Sequence, residues 1–103
     1  MWAQLITMGL KQGKDEDVQG LVDMLRSAEQ PGSGLVRSLT MRDQNDPSRI
    51  YTLVVFESEE HARARENDPH RQEQLQPART AMADMLDGAP EFVDLVVVAE
   101  TLP

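Results

Sequence analysis

A strand-like segment of the hydrophobic pattern runs from Ile50 to Phe56 and consists almost entirely of β-branched, aromatic and aliphatic residues. A run of this length is too short for an independent helix and is rich in strand formers. Because side chains alternate across a strand, its even-numbered residues face one side and its odd-numbered residues the other. Both sides are largely apolar, which predicts a sheet that is covered on both faces.

Three further strands are predicted where strand-forming residues recur, at 2–10, 35–42 and 91–100. In the second of these strands, Leu35, Leu39 and Met41 are predicted to share one face. Turn-forming residues at 43–48 predict a hairpin that joins this strand to the central one.

Two helical regions are predicted between these strands. The first begins with the acidic residues 15–17, which the helix dipole favours in a first turn, and continues with apolar residues at helical spacing. The second begins after Ser58 as N-cap, is interrupted at Asp68-Pro69, and resumes with an apolar stripe. Gly88 and Pro90 are predicted to end it.

The resulting order is strand, helix, strand, strand, helix, strand, which predicts an α+β fold of the ferredoxin-like βαββαβ type. Residues 1–103 are expected to form one domain, a four-stranded antiparallel sheet with helices on one face. Exposed apolar residues on the other face would exceed the few hundred Å² that monomers usually tolerate. The sequence therefore predicts a homodimer in which two sheets pack together.

The composition narrows the classes of partner. A formal net charge of -8 argues against a nucleic-acid partner and against an anionic membrane surface, because both need clustered lysine and arginine. The chain has no cysteine, which fits a reducing compartment. The first ten residues lack the features of a signal peptide, and no apolar run has the length of a membrane span. A cytoplasmic protein is expected.

The strand-to-helix passage VVFESEEHARARENDPH, together with the element order, resembles the dimeric α+β barrel superfamily and, within it, the antibiotic biosynthesis monooxygenase (ABM)-like domains. Phe56-Glu57-Ser58 and Asp68-Pro69-His70 stand where those proteins often have an aromatic-acidic pair and a Pro-His break. The resemblance implies a cavity between sheet and helices for a small apolar or aromatic molecule. For an enzyme it implies oxygen-dependent oxidation without a cofactor, in which the substrate supplies the electrons.

The haem-degrading branch of the same superfamily uses an asparagine, a tryptophan and a histidine. The corresponding positions in this chain are Ile6, Arg65 and Gln74, and none has the required type. The resemblance therefore does not extend to haem degradation.

The candidate site residues are few. His70 is the candidate catalytic base, because an imidazole can accept a proton near neutral pH. Candidate substrate-binding residues are those that could line an apolar pocket, together with a charged residue in the middle of a strand: Trp2, Tyr51, Phe56, Met82 and Arg37. Large apolar residues more often belong to the hydrophobic core, so a core position stays the alternative for each apolar candidate.

Arg37 and Asp94 both interrupt apolar strands. Each is predicted to face a dimer interface or a ligand cavity, or the two pair with each other across the sheet. The acidic and histidine residues Glu57, His61, Asp68 and His70 match no known ligand spacing, so neither a metal nor another cofactor is expected.

Two functions remain open on this sequence. One is an enzyme that oxidises a small apolar or aromatic molecule in the manner of a monooxygenase. The other is a non-catalytic ligand-binding or assembly module of the same fold. An RNA-binding domain with the same strand order is excluded by the negative charge and by the absence of stacking aromatics on the central strands. The sequence names neither the ligand nor the substrate.

Overall fold

Four antiparallel strands form one sheet in the computed structural model, which describes residues 1–103. The strands are β1 (Trp2–Gly9), β2 (Leu35–Arg42), β3 (Arg49–Phe56) and β4 (Glu91–Val96). Their order in the sheet is β2-β3-β1-β4, so β3 and β1 are central and β2 and β4 form the edges. The predicted ferredoxin-like α+β fold is confirmed.

The helices are α1 (Val18–Ser27), α2 (Glu59–Glu66), α3 (Pro69–Gln74) and α4 (Gln76–Met85). Both predicted N-caps are present, since Ser58 Oγ accepts a hydrogen bond from the His61 N–H at 3.2 Å and Asp68 Oδ1 accepts one from the His70 N–H at 3.0 Å. One helix was predicted after Pro69, but it is divided at Leu75. Pro77 has no N–H to donate to the preceding turn, which explains the division. No helix is long enough to cross a membrane.

The core lies between the sheet and the helices. The even-numbered residues of β3 are buried on this face, as their alternation predicts. They contribute to two apolar clusters. The first cluster joins β1 and β3 to α1 and α4 through Met8, Leu21, Ile50, Ala78, Met85 and their neighbours. The second cluster consists of Trp2, Val54, Phe56 and Ala62.

One facing prediction is wrong, and a bulge in β2 explains it. Leu39 pairs with Leu53, but the register shifts between Leu35 and Arg37, so that Leu35 pairs with Phe56. The extra residue, Val36, reverses the alternation of side chains. Leu35 therefore packs against the second cluster on the helix side, whereas Leu39 and Met41 lie on the opposite side.

The side of the sheet that carries no helix is called the open face below. Its apolar residues come from all four strands and are exposed or half-buried: Leu5, Leu39, Met41, Leu53, Val55, Val93 and Leu95. The two-sided apolar pattern of the strands thus corresponds to one covered face and one uncovered face in the single chain.

The fourth strand is shorter than predicted. It was expected to span 91–100 but ends at Val96. Its neighbour β1 begins at Trp2, and the last backbone contact runs from the Val97 N–H to the Met1 carbonyl at 3.3 Å. Beyond this point the sheet offers no hydrogen-bonding partner, so the apolar residues that follow are not part of a strand.

Candidate functional site

A groove of about 520 Å³ opens on the helix side of the sheet, between α1 and the strands β2 and β3. It is called the α1 groove below. Val18, Val22 and Leu25 form its apolar wall on α1. The volume lies within the range of small-molecule sites in proteins, about 300 to 1,000 Å³.

The groove exists because α1 packs beside α4 and leaves the helix side of the edge strand β2 uncovered. Beyond the half-buried Leu35, the β2 residues on this side are Ser38, Thr40 and Arg42, all polar and exposed. Thr40 Oγ1 lies 3.3 Å from Oγ1 of Thr52 on β3. The floor therefore offers paired hydroxyl groups opposite an apolar wall.

An ion cluster closes one end of the groove. Glu29 Oε2 accepts hydrogen bonds from Arg65 Nη2 at 2.6 Å and Nε at 3.0 Å, and lies 3.4 Å from Arg71 Nη1. Its other oxygen, Oε1, accepts from Ser33 Oγ at 2.6 Å. Arg71 Nη1 also donates to the Ala28 carbonyl at 3.3 Å. The cluster ties the end of α1 to α2 and α3.

The charges in this cluster depend on one another. Burial acts to raise the pKa of Glu29, but the hydrogen bonds from Arg65 and Ser33 and the charges of both arginines outweigh it, so the pKa is lowered. Burial lowers the pKa of Arg71, and the neighbouring Arg65 acts in the same direction, while Glu29 opposes both. Glu29 is thus an ionised, paired carboxylate rather than a free base.

The other end of the groove carries Arg42. Its Nη2 donates to the Asp15 carbonyl at 2.7 Å, which joins β2 to the turn before α1. No carboxylate lies within 4 Å of its guanidinium. Arg26 also lines the groove, and its ion pair with Asp23 is long, at 3.8 Å, and exposed.

Two of the predicted binding residues lie in the second core cluster. The rings of Trp2 and Phe56 are 6.2 Å apart and tilted by 44°. The Arg63 guanidinium lies 5.1 Å from the centre of the Trp2 ring, and that of Arg65 lies 5.1 Å from the Phe56 ring. Neither aromatic residue lines the α1 groove.

The remaining predicted binding residues are dispersed. Tyr51 and Arg37 lie on the open face, where the Tyr51 hydroxyl accepts from Arg49 Nε at 3.1 Å. Met82 borders a separate shallow hollow near Gly88. Arg37 does not pair with Asp94, since they lie on opposite edge strands. Asp94 instead accepts from Gln4 and from Arg63, each at 3.0 Å.

The two histidines lie outside the groove. His70 is exposed in the first turn of α3. His61 Nδ1 is 2.6 Å from Ser58 Oγ, and its Nε2 is 3.5 Å from Glu57 Oε2. No group of three or more histidine, aspartate or glutamate side chains is placed to hold a metal ion.

The groove residues that sequence reasoning missed are mostly polar. Ser38, Thr40 and Arg42 recur at every second position of β2, a pattern that could have indicated a polar strip facing the helices. The Glu29 cluster had no such signal, because Glu29 is 36 residues from Arg65 and 42 from Arg71.

Solved structures with the same fold are found by comparison. A proposed antibiotic biosynthesis monooxygenase from Nitrosomonas europaea superimposes with a TM-score of 0.76 at 19% identity, covering 96% of this chain and 100% of the other. One from Bordetella bronchiseptica gives 0.74 at 16% identity, covering 95% and 97%. One from Chloroflexus aurantiacus gives 0.67 at 23% identity, covering 98% and 97%. No protein-family model and no curated protein matches the sequence.

These likenesses define the class of protein by its fold. The chain has the α+β fold of the ABM-like proteins, and it shares this fold over nearly its whole length. The resemblance inferred from the sequence is therefore confirmed for the architecture. Because one fold supports many functions, the ligand and the reaction must be argued from the groove itself.

Proposed function

We propose that this protein binds a small apolar or aromatic molecule in the α1 groove. The observation that carries this proposal is the combination of an apolar wall on α1 with the Thr40–Thr52 hydroxyl pair on the floor. Small-molecule sites commonly combine a predominantly apolar lining with a few polar groups that fix orientation. A planar ring system could pack against Val22 and Leu25 while its oxygen atoms meet the hydroxyls.

The reaction that we propose for this ligand is an oxidation by molecular oxygen, as the names of the structural neighbours suggest. In such a reaction a ring CH₂ becomes C=O. One oxygen atom enters the product, the other leaves as water, and the substrate supplies the electrons. The Thr40–Thr52 pair is proposed to donate a hydrogen bond to the substrate oxygen that gains negative charge, through the hydroxyl that is not donating within the pair.

A binding experiment tests the first part of the proposal. Val22→Phe places a larger side chain in the groove. It should weaken the binding of the neutral fluorophore N-phenyl-1-naphthylamine by at least about 10-fold, because the phenyl ring occupies space that the probe needs. Met24→Phe, on the exposed side of the same helix, should leave the affinity unchanged. Fluorescence titration measures both. Equal affinities for the two variants would contradict a ligand site in the groove.

Oxygen uptake with anthrone as substrate tests the sequence-based prediction that His70 is the base, although the imidazole lies outside the lining of the groove in which we place the substrate. Because the imidazole lies outside the groove lining, we expect His70→Ala to leave probe binding unchanged. If His70 is the base, oxygen uptake by the His70→Ala variant should fall by roughly 100-fold or more while probe binding stays unchanged. Uptake that is equal in the variant and the wild type removes His70 from the mechanism.

A further inference from the structure

The lining of the α1 groove has the opposite charge balance to the rest of the chain. The whole protein has 18 acidic and 10 basic residues, a formal net charge of -8. The groove is lined by three arginines, Arg26, Arg42 and Arg65, and by one acidic residue, Glu29. An acidic protein thus directs cationic groups toward this groove.

The single acid of the groove is already neutralised. Both oxygens of Glu29 accept hydrogen bonds, Oε1 from Ser33 and Oε2 from Arg65. Arg71 Nη1 lies 3.4 Å from the same Oε2. Two guanidinium groups therefore share one carboxylate. The negative charge of Glu29 is therefore compensated, and this end of the groove does not repel an anion.

Arg42 is the groove cation that has no carboxylate partner. Its hydrogen bond to the Asp15 carbonyl is made by one N–H and fixes the side chain between β2 and the start of α1. A guanidinium has five N–H donors, so donors remain for a ligand. The acidic residues Glu16 and Asp17 follow Asp15 in the chain, but none of the three carboxylates lies within 4 Å of Arg42 or lines the groove.

We infer that the ligand of the α1 groove is an anionic amphipathic molecule. Its aromatic or alicyclic body would lie against Val18, Val22 and Leu25, and its carboxylate, sulfonate or phenolate would bind Arg42. This inference rests on the proposed ligand site and deepens it. Guanidinium groups bind such anions by charge-assisted hydrogen bonds, which are about twice as strong as neutral ones.

Two matched fluorophores test this inference. 1-Anilinonaphthalene-8-sulfonate and N-phenyl-1-naphthylamine share one ring system and differ by the sulfonate. The wild type should bind the sulfonate about 5-fold more tightly, since a partly exposed ion pair contributes up to about 1 kcal/mol. Arg42→Gln should remove this preference by weakening the sulfonate alone, and Arg42→Lys should restore part of it. Arg79→Gln, which changes an exposed arginine on α4 outside the groove lining, should change neither affinity.

The outcomes separate the two proposals. Equal affinities of the two probes for the wild type, or an unchanged preference in a folded Arg42→Gln protein, overturn the anionic ligand while the groove remains a ligand site. If neither probe responds to Val22→Phe, the groove is not the binding site and both proposals fail. Circular dichroism of each variant confirms that it is folded.

Discussion

The Glu29→Gln variant is expected to lose about 2 kcal/mol of its free energy of unfolding at pH 7, because the change removes the negative charge that pairs with the buried Arg71 guanidinium. Arg71 is 8% exposed and has Glu29 as its only carboxylate partner within 4 Å. The same change leaves one neutral amide oxygen to accept from Arg65, Arg71 and Ser33, where the carboxylate offered two charged oxygens. Urea denaturation followed by circular dichroism measures the loss.

The pH dependence and a control make this result specific to the ion pair. The pKa of Glu29 is lower in the folded protein than its ordinary value of 4.5. Its stabilising contribution is therefore complete above about pH 4.5 and is lost as the pH falls through the folded-state pKa. The difference between wild type and variant should shrink in that acidic range. Glu66→Gln, which breaks an exposed pair with Arg63, should cost less than about 0.5 kcal/mol. Equal losses for the two variants would contradict a central role for the cluster.

The Leu95→Glu variant is expected to be monomeric, whereas we propose that the wild type is a homodimer joined through the open face. Apolar residues of all four strands remain uncovered there, and a second sheet would bury them. A carboxylate on this face would have to be buried without a partner. Because that costs several kcal/mol, the dissociation constant should rise by roughly 100-fold or more.

Light scattering measures the outcome directly. The wild type should have twice the chain mass of 11.5 kDa, and Leu95→Glu should have the chain mass itself. Met24→Glu is the matched control, since Met24 is 39% exposed on α1 and Leu95 is 37% exposed on β4. It should remain a dimer. A wild type that is monomeric at micromolar concentration would refute the pairing of open faces.

The elements of this fold were predictable because their signals are local. The alternation in β3 correctly grouped the residues of each face, and Ser58 and Asp68 marked the starts of α2 and α3. The bulge at Val36 was not predictable, since Leu35 and Leu39 are both apolar and either facing fits the pattern. The division at Leu75 was not predicted, since the apolar stripe continues across it.

The site was less predictable because its parts come from distant segments. Sequence reasoning named Trp2 and Phe56 as candidate pocket residues but favoured a core position for each, and both are buried in the core with Val54 and Ala62. The α1 groove depends instead on the position of α1 relative to the edge strand, which no local pattern specifies. Whether the predicted residues act on a ligand is decided by the variants described above.

The position of Trp2 makes it an intrinsic fluorescence probe of folding. It is the only tryptophan of the chain, it is 7% exposed, and it lies in the second cluster rather than in the α1 groove. Its emission should shift to longer wavelength when water reaches the indole on unfolding. Since no ligand in the groove would touch the ring, loss of structure and occupancy of the groove can be followed separately in one sample.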